Sequence, residues 1–204
     1  MMNTDIRNKI VPIIFSLVIS LASSLFAEVE KTPADSAFSR IYVSIEGGEI
    51  YPFGDISDAV ENAFYGGLGL RYSYWPDVDG IVDFDYAYFK VRASGVKFPG
   101  VHQFMGHLGL DWHWKWINPV SVGFGFVCDW TRADYDGEEG DYNKRGNTLL
   151  DNETEFGYFI RLVLPFTTYD KFKIGLKVLW EETWTLPERS DMLSVGFYVE
   201  RRVF

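Results

Sequence analysis

A chain of 204 residues with a formal charge of −10 and a single cysteine is large enough for one domain with a sizeable core; it cannot be stapled by an internal disulfide and has the wrong overall sign for a nucleic-acid partner. Aromatic side chains are unusually frequent, with 17 Phe, 12 Tyr and 7 Trp. Beyond residue 27 no apolar run approaches the ~20 residues a membrane helix needs, which excludes a helical membrane protein.

The chain opens with a weakly basic segment holding Arg7 and Lys9, followed by an apolar run from Ile10 to about Phe26 and an abrupt change to the polar EVEKTPADS. Residues 1–27 therefore read as a cleaved secretory signal peptide. Ser16, Ser20, Ser23 and Ser24 interrupt the run and no basic flank follows it, which disfavours an uncleaved anchor. Cleavage after Ala27 puts a small residue at the junction although Leu25 two positions earlier is large; cleavage after Ser24, with Ala22 behind it, is the alternative, and no cysteine stands nearby for lipoprotein processing. Residues 28–39 are then a short N-terminal segment on the periplasmic side.

From residue 40 onward, eight segments alternate with period two, one parity apolar and the other small or polar. The first, Arg40 to Tyr51, opposes Ile41, Val43 and Ile45 to Tyr42, Ser44 and Glu46. The second, Ala63 to Tyr74, sets Phe64, Leu68, Leu70 and Tyr72 against Tyr65, Gly67, Gly69 and Arg71. In the third, Ile81 to Val91, the polar parity holds Asp83 and Asp85. The fourth, Gln103 to Trp116, alternates throughout, with Leu108, Leu110, Trp112, Trp114 and Trp116 opposed by His107, Asp111, His113 and Lys115. The fifth, Val120 to Thr131, places Asp129 among glycines and assigns Cys128 to the apolar face. The sixth, Thr154 to Phe166, carries Glu155 and Arg161 beside the apolar Phe159 and Val163. The seventh, Lys171 to Trp184, carries Lys173, Lys177 and Glu181, and the eighth runs from Met192 to the terminal Phe204.

Segments of this length suit tilted strands crossing a hydrocarbon layer, and an even number closes an antiparallel barrel with no exposed edge. The expected fold is all-β: an eight-stranded, antiparallel, up-and-down transmembrane barrel over residues 40–204. A soluble ligand-binding barrel would invert the pattern, with apolar residues inside. Short links (WPDVDG, INP, TTYD) alternate with links of roughly 10, 10 and 20 residues, which puts both termini at the turn end, in the periplasm, and the acidic fifth link outside the cell. Aromatics gather in two girdles, Tyr72, Trp112, Trp114, Trp116, Phe166 and Phe172 at the turns and Phe64, Phe104, Trp130, Phe156, Trp180 and Trp184 at the loops.

On the segments IYVSIEGGEIYPFGD and YGGLGLRYSYWP and the terminal aromatic, the mature chain resembles the small outer-membrane barrels of the OmpA/OmpX/OmpW type. The resemblance implies a stand-alone barrel without a cell-wall-binding domain, with outer-membrane lipids and lipopolysaccharide around it. It also implies an assembly signal at Gly196, Tyr198 and Phe204 read by the barrel-assembly machinery. Glu200, Arg201 and Arg202 depart from that signal and suggest a bulge in the last strand.

The inward parity gathers Glu46, Asp83, Asp85, Asp111, Asp129, Glu155 and Glu181 with Arg71, Lys115, Arg161, Lys173, Lys177 and His107. In so narrow a barrel these groups are expected to form a polar network that fills the interior. His107, Asp111 and His113 share one face of one strand, but positions two apart are about 7 Å apart and cannot close a metal sphere alone. The acidic link with Asp134, Asp136, Glu138, Glu139 and Asp141 lacks EF-hand spacing. No H-x-S spacing accompanies His102, His107 or His113, so neither catalysis nor a cofactor or metal is expected. The sequence thus points to a monomeric, non-enzymatic protein acting in envelope integrity or surface interaction through its loops. A narrow conduit for small apolar or cationic solutes is the alternative, and a lipid A-modifying enzyme the third.

Overall fold

The structure, a computed structural model, describes residues 40–54, 56–92, 100–113, 119–134, 152–169, 172–184 and 189–203. The expected signal peptide, residues 28–39, the acidic link beyond Asp134, Trp114, Lys115, Trp116 and Phe204 lie outside these residues. Eight strands follow in order: β1 (Arg40–Phe53), β2 (Ala63–Trp75), β3 (Val78–Lys90), β4 (Gly100–Trp112), β5 (Ser121–Asp134), β6 (Asn152–Tyr169), β7 (Phe172–Trp184) and β8 (Arg189–Arg202). Each pairs antiparallel with its neighbours and β8 pairs with β1, closing the barrel expected from the alternation. A single helical turn, α1 (Ile56–Ala59), sits in the β1–β2 loop.

The register fixes the barrel's shape. Stepping between paired residues from Val43 through Leu70, Val82, Leu108, Phe126, Tyr158, Glu182 and Asp191 returns to β1 at Phe53, ten residues beyond the start. With strand spacing of about 4.8 Å and a rise of about 3.3 Å per residue, that stagger tilts the strands by about 40° and gives a radius of about 8 Å. Along the axis, each residue then climbs about 2.5 Å and each strand step about 3 Å.

The strands are longer than the alternation alone delimits. β2 and β3 are separated only by Pro76 and Asp77, and β6 continues to Tyr169 past a register shift between Pro165 and Thr167. A second shift lies between Ser73 and Trp75. The expected bulge in the last strand does not occur: β8 holds its register against β1 as far as Arg202↔Tyr42, because Glu200 has a partner inside the barrel. β4 runs as far as Trp112, and residues 114–116 of its expected continuation lie outside the described residues.

The outer wall is apolar. Phe64, Leu108, Phe124, Phe126, Phe156, Phe166 and Phe197 are exposed, as is Cys128. Water would not tolerate this surface on a monomer, whereas hydrocarbon solvates it. By the axial geometry, Tyr72 and Trp112 lie about 23 Å below Tyr88 and Trp130, close to the ~25 Å apolar band of a transmembrane barrel. Leu108, 62% exposed, falls near the middle of that band. Leu108→Arg is expected to destabilise folding into phospholipid vesicles by about 2–4 kcal/mol, and Phe64→Arg, near the loop-side border, by about 0–1 kcal/mol. Urea titrations followed by tryptophan fluorescence will measure both, and equal costs at the two depths would contradict the orientation.

Candidate functional site

Among the described residues the interior gathers a large share of the charge, and it is built in layers. Nearest the turns, Arg71 on β2 donates through Nε and Nη2 to the two carboxylate oxygens of Glu200 on β8, at 2.7 and 2.6 Å. Its Nη1 donates to Asp79 on β3, which also meets His113 Nε2 at 2.6 Å. The guanidinium stacks 3.9 Å above the ring of Tyr42, and Lys173 Nζ stands 5.0 Å from the same ring and 3.7 Å from Glu200. A planar fork with five donors suits this position between two carboxylates better than an ammonium would.

The middle layer repeats the plan. Arg161 on β6 donates through Nε and Nη2 to Asp111 on β4, at 2.8 and 2.6 Å, and through Nη1 to Asp83 on β3. Lys177 on β7 donates to Glu46 on β1 and lies 3.6 Å from Asp83 and 3.8 Å from Asp85. The glycine-rich parity makes room for these side chains. A Cβ at Gly123 would stand 2.0 Å from Asp111 Oδ1, and one at Gly67 1.7 Å from Asp85 Oδ1.

Above this the lumen is acidic towards β5–β7 and apolar towards β8, β1, β2 and β3. His107 Nε2 pairs with Glu181 Oε2 at 2.9 Å, and its Nδ1 is 3.5 Å from Asp85 Oδ2. Gln103 donates to Asp129 Oδ2, and Thr183 to Glu155 Oε2, both at 2.8 Å. Phe159, Ile81, Val127 and Leu179 form one buried cluster in the barrel, with the Phe159 ring edge-on to His107. At the loop end Ile50, Ala63, Tyr65, Ala87, Phe89, Met105 and Met192 close over the lumen, joined by Val60 beside α1 and its bridge partner Val91. From the other end a cavity of about 240 Å³ runs past Arg71 and Glu200 into the middle layer, where Asp83, Asp111, Arg161 and Lys177 line it.

The structure thus brings twelve of the sequence-marked lumen residues into one column and leaves Lys115 outside the described residues. Gly196 and Tyr198 face inward on β8, where Gly196 lies opposite Gly48 of β1. Sequence reasoning missed Asp79, Gln103 and Glu200. Asp79 reads as part of the WPDVDG turn, Gln103 sits on the inward parity without a formal charge, and Glu200 reads as a departure from the terminal assembly signal. The balance of sign also changes, since Asp79 and Glu200 add two carboxylates and the described column holds no cations beyond Arg71, Arg161, Lys173, Lys177 and its histidines. His107, Asp111 and His113 do not converge: they go to Glu181, Arg161 and Asp79 respectively.

No family model and no curated protein matches the sequence. Among solved structures, the fold is similar to that of Neisserial surface protein A, at 11% identity and a TM-score of 0.53 over 79% of this chain and 96% of that one. It is also similar to the Yersinia pestis outer membrane protein Ail in a phospholipid bilayer nanodisc, at 16% identity and a TM-score of 0.50 over 80% of this chain and 99% of that one. The expected similarity to small eight-stranded outer-membrane barrels therefore holds at the level of fold.

Proposed function

We propose that this chain is an integral, non-enzymatic barrel of the bacterial outer membrane whose interior is a structural plug and whose loop end and outer wall carry its role in envelope integrity or surface interaction. The observation that carries this is the loop-side half of the lumen, which side chains fill; the cavity at the turn end is lined no further up than the middle layer. Two arginines and a lysine are tied to carboxylates on strands across the barrel, and an apolar cap lies between them and the loop end. A conduit needs a continuous wet column, and a side-chain-filled eight-stranded interior leaves little room for one.

The apolar wall supports a bilayer setting, and the fold shared with Neisserial surface protein A and Ail supports an outer membrane in particular. Export then proceeds through cleavage of residues 1–27, leaving residues 28–39 in the periplasm. The barrel-assembly machinery reads Gly196, Tyr198 and Phe204, and the folded protein is a monomer among lipids and lipopolysaccharide.

Purified protein in planar lipid bilayers is expected to leave the baseline conductance unchanged. Discrete single-channel steps would overturn the plug in favour of the conduit.

A further inference from the structure

The outward face of β3, β4 and β5 carries an ordered pair of ledges at its loop-side end. Tyr88, Phe104 and Trp130 are outward-facing on three consecutive strands, and the rings of Phe104 and Trp130 stack at 5.0 Å. Two residues nearer the loops on the same face of each strand stand Lys90, His102 and Arg132, about 5 Å further along the axis. Lys90 and Arg132 are exposed, and the strand tilt brings them within about 1 Å of the same height. His102 lies on the strand between them, its Nδ1 2.8 Å from Tyr86 Oη and its ring 4.9 Å from that of Tyr88. Near the loop-side border of the opposite wall stand Glu49 on β1 and Asp191 on β8, with Glu182 on β7 buried and accepting from Tyr158.

Resting on the outer-membrane reading above, we propose that this wall is a binding site for the phosphorylated headgroup of an outer-leaflet glycolipid. The aromatic ledge marks the level where acyl chains give way to headgroups, and rings with apolar faces and polar edges suit that level. The basic ledge then lies where phosphates lie, and long cationic side chains can extend to meet them. Lys90 and Arg132 are two strands and two residues apart, about 11 Å between Cα atoms, a span that fits a two-sugar headgroup carrying a phosphate at each end better than a single phosphodiester. The flat rings below offer stacking surfaces to sugar faces.

The test is retention of lipid on the intact barrel, read by native mass spectrometry after reconstitution in phosphatidylcholine vesicles containing bis-phosphorylated lipid A. The wild type is expected to retain lipid A, and Lys90→Gln/Arg132→Gln to retain it roughly 30-fold more weakly. Arg201→Gln, which removes a cation at the turn end, is expected to change nothing. Heat-modifiable electrophoretic mobility in plain phosphatidylcholine shows whether each variant has inserted and folded, so a failure of the membrane reading appears there and separately from a failure of the site. Equal retention of lipid A without phosphates, equal retention by the double variant, or equal retention of phosphatidylglycerol at matched charge would each overturn the proposal.

Discussion

Replacing Arg161 by methionine is expected to lower the unfolding free energy of the barrel by about 3–5 kcal/mol, the usual cost of breaking a buried ion pair from one side. The guanidinium is buried and serves Asp111 through two hydrogen bonds and Asp83 through a third. Removing it leaves Asp111 without its two hydrogen bonds and Asp83 with Lys177, 3.6 Å away, as its remaining cation, so lone-pair satisfaction and charge compensation are lost at Asp111 and weakened at Asp83. The cost belongs to the stranded carboxylates rather than to the missing arginine. Arg161→Met/Asp83→Asn/Asp111→Asn should therefore be closer to wild type than Arg161→Met alone. Equilibrium urea titrations in lipid vesicles decide this, and a triple variant weaker than the single one would show that the network contributes net stability.

The second large effect is expected at Phe159. Its ring is fully buried and lies over two facing glycines, Gly109 on β4 and Gly125 on β5. Phe159→Ala is expected to cost about 3–5 kcal/mol by emptying that space. An alanine at Gly125 cannot refill it. The nearest atom to such a Cβ is the main-chain oxygen of Leu108, at 2.2 Å, closer than the Phe159 ring at 2.8 Å. Gly125→Ala is therefore expected to destabilise the barrel both alone and in the Phe159→Ala background, measured by the same titrations. Recovery in the double variant would mean that the ring alone, and not the strand pair, dictates glycine there.

These two sites also show what the sequence makes legible. The alternation at Leu108, Leu110 and Trp112 against His107, Asp111 and His113 displays both faces because lipid and a charged lumen select opposite residue types. Where the lumen is apolar the contrast vanishes. Ile50, Phe89, Met105 and Met192 therefore gave no inward signal although they cap the interior. Strand ends blur for a related reason, since Asp79 and Glu200 read as turn or terminus until a cation from another strand claims them. Partner choice is illegible from periodicity: Arg71 and Glu200 are 129 positions apart, and only the stagger of the closed sheet brings them level.

That pair has a consequence for how the chain reaches its folded state. Arg71–Glu200 and Lys177–Glu46 both reach across the junction of β1 and β8, the first and last strands made. Until those strands meet, each half of the sheet holds an unmatched charge and an open edge, and each pays to be in a bilayer without the other. Partly zipped forms gain little, so closure resembles a latch that engages in one movement at the end of a slow search set by contacts remote in sequence. The same latch opposes leaving: the first step of unfolding has to separate both ion pairs and the longest-range ladder together, which favours a long-lived native barrel once the ends have joined.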